Sequence, residues 1–279
     1  MTVQIPSHFS YSQLAAYSNC PYQYRFAHVL KIPTRGKEQF SFGKTMHSTL
    51  QKLFLLLEEK KGLGQGELFG GITSPTPPLQ GGQVNPPFER GAGGLISLDE
   101  ILKLYEQSWI DDWYNSKQSK QERKKQGREI LQVFYEKHKN NWPDAIFLEK
   151  GFSWKITAGA EAYTVRGAID RIDKIDSGLK LVDYKTGAAK DKLSFEEKEQ
   201  LLIYQLAAGE LFKKPVAALA FYYLEDNSEV EFLGTTRDLE KIKAKIINTI
   251  KEIKQGNFAP KPGRLCAFCD YRAICEFRA

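Results

Sequence analysis

Gly167-Ala168-Ile169-Asp170 and, after a turn, Val182-Asp183-Tyr184-Lys185-Thr186-Gly187 form the stretch on which the fold is read. Side chains alternate across a strand, so Asp183 and Lys185 share a face. The turn signal between the two arms is Asp176-Ser177-Gly178. A two-residue loop at Ser177-Gly178 or Asp176-Ser177 pairs even-numbered with odd-numbered residues. Opposed residues lie on the same face, so Asp170 then joins Asp183 and Lys185. A three-residue loop would reverse that parity. Two neighbouring carboxylates call for a counter-charge. Oxygen ligands favour Mg²⁺ or Mn²⁺, and a lysine beside them can orient water or neutralise developing charge. Those parts together suit phosphodiester hydrolysis. The plainer reading makes both aspartates exposed strand residues with Lys185 as their partner. Asp is depleted from strands, however, and Leu181-Val182-Asp183 has the character of a buried segment.

The chain has 279 residues, enough for one large domain or one domain with an appendage. Its 42% hydrophobic and 27% charged content is that of an ordinary globular protein. A net charge of +6 is compatible with a phosphate-rich partner without requiring one. Residues 1–12 lack the basic start and apolar core of a secretory signal, and Leu53–Leu57 is too short to span a bilayer. A cytoplasmic location and no membrane partner are the expectation.

Helix-start signals recur. Ser10-x-x-Gln13, Ser97-x-x-Glu100 and Ser194-x-x-Glu197 are capping boxes. They predict helices through Tyr17, toward Tyr114 and to about Phe212. Pro21 opens a second short helix. Residues 42–60 form a strong helix, with His47, Leu50, Phe54 and Leu57 on one face. A lysine-rich helix follows over 117–139, and another over 238–255. Strands are expected at 146–156, 162–175, 179–184, 216–224 and 229–233. The predicted fold class is α/β, with a mixed central sheet flanked by helices. The expected organisation is one composite domain. Its parts are a helical region (1–60), a disordered Gly/Pro-rich insertion (61–94), a core with a helical flank (95–255) and a C-terminal tail (256–279).

The four cysteines are Cys20, Cys266, Cys269 and Cys275. Three form C-x2-C-x5-C, and a cytosolic chain seldom keeps disulfides. Four thiolates suit a tetrahedral Zn²⁺ or a [4Fe–4S] cluster. A distant cysteine plus an uneven triplet fits the cluster better, and buried free thiols are the bland alternative.

Taken together these residues resemble the RecB-type branch of the PD-(D/E)XK nuclease superfamily, over nearly the whole chain apart from the insertion. Phe9-Ser10-Tyr11-Ser12-Gln13-Leu14 through Cys20-Pro21-Tyr22 resembles that branch's entry helix and first cysteine. Gly43-x3-His47 is similar to its histidine motif, and Gln200-x3-Tyr204 to its downstream helix motif. Gly167–Asp170 and Asp183–Gly187 are similar to its acidic motifs, although Ile169 and Val182 stand where the superfamily name has proline. The cysteine pattern is similar to the iron–sulfur subgroup, which includes AddB-type nuclease domains and CRISPR-associated adaptation nucleases.

The resemblance implies a restriction-endonuclease-like core and a divalent-metal-dependent deoxyribonuclease. It further implies an exonuclease acting on DNA ends or single strands in repair and recombination, with a CRISPR adaptation nuclease as the alternative. It makes His47, Asp170, Asp183 and the Tyr184 carbonyl ligands of Mg²⁺ or Mn²⁺. Lys185 would position the attacking water, and Gln200 and Tyr204 would contact substrate or brace the site. Cys20, Cys266, Cys269 and Cys275 would hold a structural [4Fe–4S] cluster joining the helical flank to the tail. Glu149, at the start of a strand region, could be an accessory acid; the plainer reading is a surface carboxylate. Lys31, Arg35, Lys37 and Lys44 are candidates for phosphate contacts. The chain has no Walker A motif, so any helicase partner would be a separate subunit. A reading of a different class is a non-catalytic DNA-binding subunit of a helicase–nuclease complex. Retention of His47, Asp170, Asp183 and Lys185 argues against it.

Overall fold

A computed structural model describes residues 6–62, 95–190 and 192–279. Most of the Gly/Pro-rich stretch lies outside the described residues. The capping boxes act as read. Ser10 caps α1 (Tyr11–Asn19), Ser97 caps α4 (Leu98–Ser108) and Ser194 caps α6 (Phe195–Leu211), each with the reciprocal bond from its Gln or Glu. Thr235 and Asp238 do the same for α7 (Thr236–Lys254). Between these run α2 (Pro21–Tyr24), a π-helical turn (Arg25–Val29), α3 (Glu38–Lys61) and α5 (Lys117–His138). Helix α4 stops at Ser108, short of the expected Tyr114. Its C-cap Trp109 is extended, and Ser41 Oγ and Thr45 Oγ1 bond the backbone of Asp112 and Ile110, fastening 110–112 to α3 instead.

The strands are β1 (His8–Phe9), β2 (Ala145–Ala158), β3 (Glu161–Ile175), β4 (Gly178–Lys185), β5 (Val216–Tyr223) and β6 (Ser228–Phe232). The two-residue β1 was not expected from sequence; it pairs parallel to β3 at Thr164 and Val165. One edge of β3 carries β2, antiparallel. The other edge is shared by β1 and, farther along, antiparallel β4. Beyond it β5 runs parallel to β4, and β6 closes the sheet antiparallel to β5. The parallel β4–β5 pair needs a crossover, which α6 supplies.

Both faces of the sheet are covered, so its inner strands are apolar on alternating sides. Leu181, Leu219, Phe221 and Ile172 pack with α1, α6 and α7. Val182, Tyr184, Ala220 and Tyr222 pack with α3, α4 and α5, where Met46, Leu50, Leu53, Phe54 and Leu57 are buried. This is the mixed α/β architecture expected. No helix among the described residues is long and apolar enough to cross a membrane.

Gly167 of the Gly-Ala-Ile-Asp arm pairs with Phe152 across β2–β3. A Cβ there would fall 2.7 Å from the Phe152 ring, which in turn meets Tyr204 edge-on at 5.6 Å between centroids. Gly167→Ala should therefore cost about 1–3 kcal/mol, the usual range for overpacking. A urea midpoint equal to wild type would show that the ring shifts freely.

Candidate metal and hydrolytic centre

The β3–β4 connection is the two-residue turn Asp176-Ser177, with Ile175 opposite Gly178. Gly178 takes φ 142°, and a Cβ there would sit 2.3 Å from the Pro215 carbonyl oxygen. The even–odd parity follows. Arg171 opposes Val182, and one step on Asp170 faces Asp183. Asp183 is 2% exposed. The Tyr184 N–H donates to Asp170 Oδ2 at 2.8 Å, tying the two acidic strands at the site itself.

The two helical motifs approach from opposite faces of the sheet. From α3, His47 places Nε2 3.1 Å from the Tyr184 carbonyl oxygen and Nδ1 3.5 Å from Asp170 Oδ2. From α6, Gln200 donates Nε2–H to Asp183 Oδ1 at 2.6 Å and to the Tyr204 hydroxyl at 2.8 Å. Its Oε1 accepts from Lys185 Nζ at 2.7 Å. Gln200 thus braces both the acid and the lysine, and Tyr204, 6% exposed, braces Gln200 from the core. Lys185 Nζ lies 2.6 Å from Asp183 Oδ2. That contact is electrostatic rather than a directed hydrogen bond, and Oδ2 is buried with no hydrogen-bond partner among the described residues.

Glu149 takes the accessory-acid place among its two sequence readings. Its carboxylate joins His47 and Asp170 in a group whose ligand atoms lie within 4.8 Å of one another. The register explains this. Leu148 pairs with Arg171 and Lys150 with Ile169, so Glu149 lies opposite Asp170 and shares its face. The signal was present in Ala158-Gly159-Ala160-Glu161. A two-residue turn at Gly159-Ala160, which the pairing of Ala158 with Glu161 shows, fixes Glu149 against Asp170, each nine residues from that first pair. Glu149 holds φ 46°, in the left-handed region that a residue with a Cβ enters at a cost.

The electrostatics suit a cation. Burial first, then Asp183, pushes the Asp170 carboxyl well above the usual carboxylate range, partly offset by the Tyr184 N–H. Burial and Asp183 likewise raise Glu149. Burial lowers the His47 pKa, so the imidazole is held neutral, the form that ligates metals. The donor set is one imidazole, carboxylates and a backbone carbonyl, which suits Mg²⁺ or Mn²⁺.

An acid with a raised folded pKa costs stability as pH rises from the ordinary carboxylate range through the raised value. A bound cation removes that cost by displacing the proton. Saturating Mn²⁺ should therefore raise the melting temperature more at pH 8 than at pH 5. Glu149→Gln should weaken Mn²⁺ by at least about tenfold. Equal Mn²⁺ stabilisation at both pH values would show that these carboxylates do not bind the ion.

Away from this centre, Cys20, Cys266, Cys269 and Cys275 all line one cavity with Tyr22, Phe26 and Phe277. Burial raises the Cys269 thiol, and Cys20 and Cys275 raise it further. Of the basic candidates, Lys37 is paired with Asp270 at 2.5 Å, while Lys44 lies over the Trp113 ring.

A profile of the PD-(D/E)XK nuclease superfamily matches residues 8–276. The chain belongs to that superfamily, whose members are mostly nucleases that use divalent metals. Among solved structures, the crystal structure of SSO0001 is similar at 13% identity and a TM-score of 0.38, with 95% of each chain covered. No curated protein matches.

Proposed function

We propose that this protein is a divalent-metal-dependent deoxyribonuclease of the RecB-like, iron–sulfur branch, an exonuclease acting on DNA ends or single strands in repair or recombination. The observation that carries the reading is the convergence of His47, Glu149, Asp170 and the Asp183–Lys185 pair at one end of the sheet. His47, Glu149, Asp170, Asp183 and the Tyr184 carbonyl would hold Mg²⁺ or Mn²⁺. The ion supplies polarisation of the scissile phosphate and a water of lowered pKa. Lys185 orients the nucleophile and compensates charge that grows on the phosphate. Gln200 fixes Lys185 and Asp183 in that geometry, and Tyr204 fixes Gln200. His47 stays neutral and so keeps a lone pair for the metal.

The domain reading remains a single composite unit in which the tail closes against the N-terminal helices. The Tyr17 hydroxyl donates to the Asn257 carbonyl at 2.5 Å, and the Tyr271 hydroxyl to that of Ile32 at 3.0 Å. A [4Fe–4S] cluster on Cys20, Cys266, Cys269 and Cys275 would complete that closure. Among the described residues no three of these sulfurs lie within 4.8 Å of one another. Loss of the cluster should uncouple the tail and lower thermal stability, because ligation is linked to folding. Cys20→Ala should bleach the brown chromophore of anaerobically purified protein and lower its melting temperature. One zinc per chain with no iron would replace the cluster by a zinc staple.

The nuclease reading is tested by adding Mn²⁺ to anaerobically purified protein with end-labelled single- and double-stranded DNA. Release of labelled mono- or short oligonucleotides is expected. Binding without cleavage would favour the non-catalytic subunit. The proposed setting is cytoplasmic, with any helicase on a separate chain.

A further inference from the structure

Beside the metal centre the structure holds a large aromatic side chain in an unfavourable backbone conformation and partly out in water. Trp113 has φ 70°, a left-handed conformation that is a genuine outlier for a bulky residue. It is 48% exposed. Its ring lies flush on Gly36, where an added Cβ would fall 1.9 Å from a ring atom. The segment bearing it is fixed from both sides. Ser41 Oγ donates to the Asp112 carbonyl at 2.6 Å, and Trp109 stacks on Tyr114 at 5.3 Å. Such strain persists only where the surroundings hold it in place, and it is common at ligand-binding positions.

The ring is also placed against the site. The Lys44 ammonium lies over it, 5.9 Å from the centroid. Among the described residues Lys44 makes no ion pair, so its charge is free for an anion. Lys44 precedes His47 by three residues and follows Phe40 by four, so all three share one face of α3. Phe40 is 54% exposed. The loop after Lys185 meets the same helix, with Thr186 Cγ2 3.9 Å from where a Gly43 Cβ would be. An exposed aromatic pair around an unpaired ammonium, leading directly to the metal ligands, has the composition of a surface that stacks bases and neutralises backbone phosphate.

We propose that Trp113, with Lys44 and Phe40, is a stacking platform that seats a base of a single DNA strand beside the metal centre and fixes the strand's path to it. The proposal rests on the nuclease reading. It favours single-stranded DNA as the form engaged at the centre, since a base inside a duplex has both π-faces covered by its neighbours.

The test uses the full chain with cluster intact, labelled oligodeoxythymidylate, and Ca²⁺ in place of Mn²⁺. Trp113→Gly removes the ring and relieves the left-handed strain, so the fold should be kept. Binding should weaken about 5- to 100-fold. Trp113→Phe should bind within about threefold of wild type, because a stacking face is retained. DNA should quench indole emission in the wild type, and that quench should vanish in Trp113→Phe, a readout that stands even if the glycine variant folds poorly. Wild-type affinity in Trp113→Gly at an unchanged melting temperature, or an undiminished quench in Trp113→Phe, overturns the platform. If wild-type protein still cleaves under Mn²⁺ in that case, only the platform fails. A wild type that neither binds nor cleaves removes the nuclease reading along with it.

Discussion

Lys185→Ala should lower single-turnover DNA cleavage by about 10²–10³-fold, the cost of removing one group that stabilises charge in the transition state. Asp183→Ala should do at least as much, because it takes away a proposed ligand and the partner of Lys185 together. The two variants differ in what they leave behind. Lys185 is 38% exposed at its side chain and lies at the end of β4, so its removal should leave the melting temperature unchanged. Removing the buried Asp183 relieves the like charge that raises Asp170 and Glu149, so the metal-free protein should become more stable at pH 8. Wild-type cleavage by Lys185→Ala would end the assigned role of the lysine.

The largest effect on stability is expected from Arg171→Ala. Arg171 is 1% exposed and faces away from the hydrolytic centre, on the side covered by α3. Its Nε and Nη2 donate to the two oxygens of Asp173 at 2.7 and 2.9 Å, and Nη1 donates to the Tyr184 hydroxyl at 2.5 Å. The guanidinium lies over Phe54, 4.8 Å from the ring centroid. Truncating it strands the Asp173 carboxylate in the core, which should cost about 3–5 kcal/mol. Arg171→Met with Asp173→Leu should recover most of that loss, since a buried pair replaced by packed apolar groups is often neutral. Denaturant midpoints of the single and double variants give the comparison. A single variant within about 1 kcal/mol of wild type would mean that water reaches Asp173. Tyr184 stands between Asp183 and Lys185, so loss of its brace should also slow cleavage. The ion pair is therefore the rear support of the site.

The sequence by itself determined what depends on neighbours along the chain. Capping boxes place helix starts because their donors and acceptors are three residues apart. The Asp176-Ser177 turn sets the parity of a hairpin, and parity alone puts Asp170 and Asp183 on one face. The same logic applied at Gly159-Ala160 would have brought in Glu149, which reading that residue in isolation left on the surface. The order of motifs gave the superfamily, since each motif is a short string whose spacing survives without coordinates.

The tertiary structure decided what depends on docking between distant segments. Only the packing of α3 on one face and α6 on the other brings His47 to the Tyr184 carbonyl, and Gln200 to both Asp183 and Lys185. Only the closing of 109–114 over α3 ends α4 at Ser108, turns Trp113 into its strained conformation and sets Lys44 above it. Arg171 reads in sequence as one more charge on a strand. Its burial is decided by Phe54, 117 positions away, and Tyr184, 13 positions away across the hairpin, and no local periodicity encodes their joint approach.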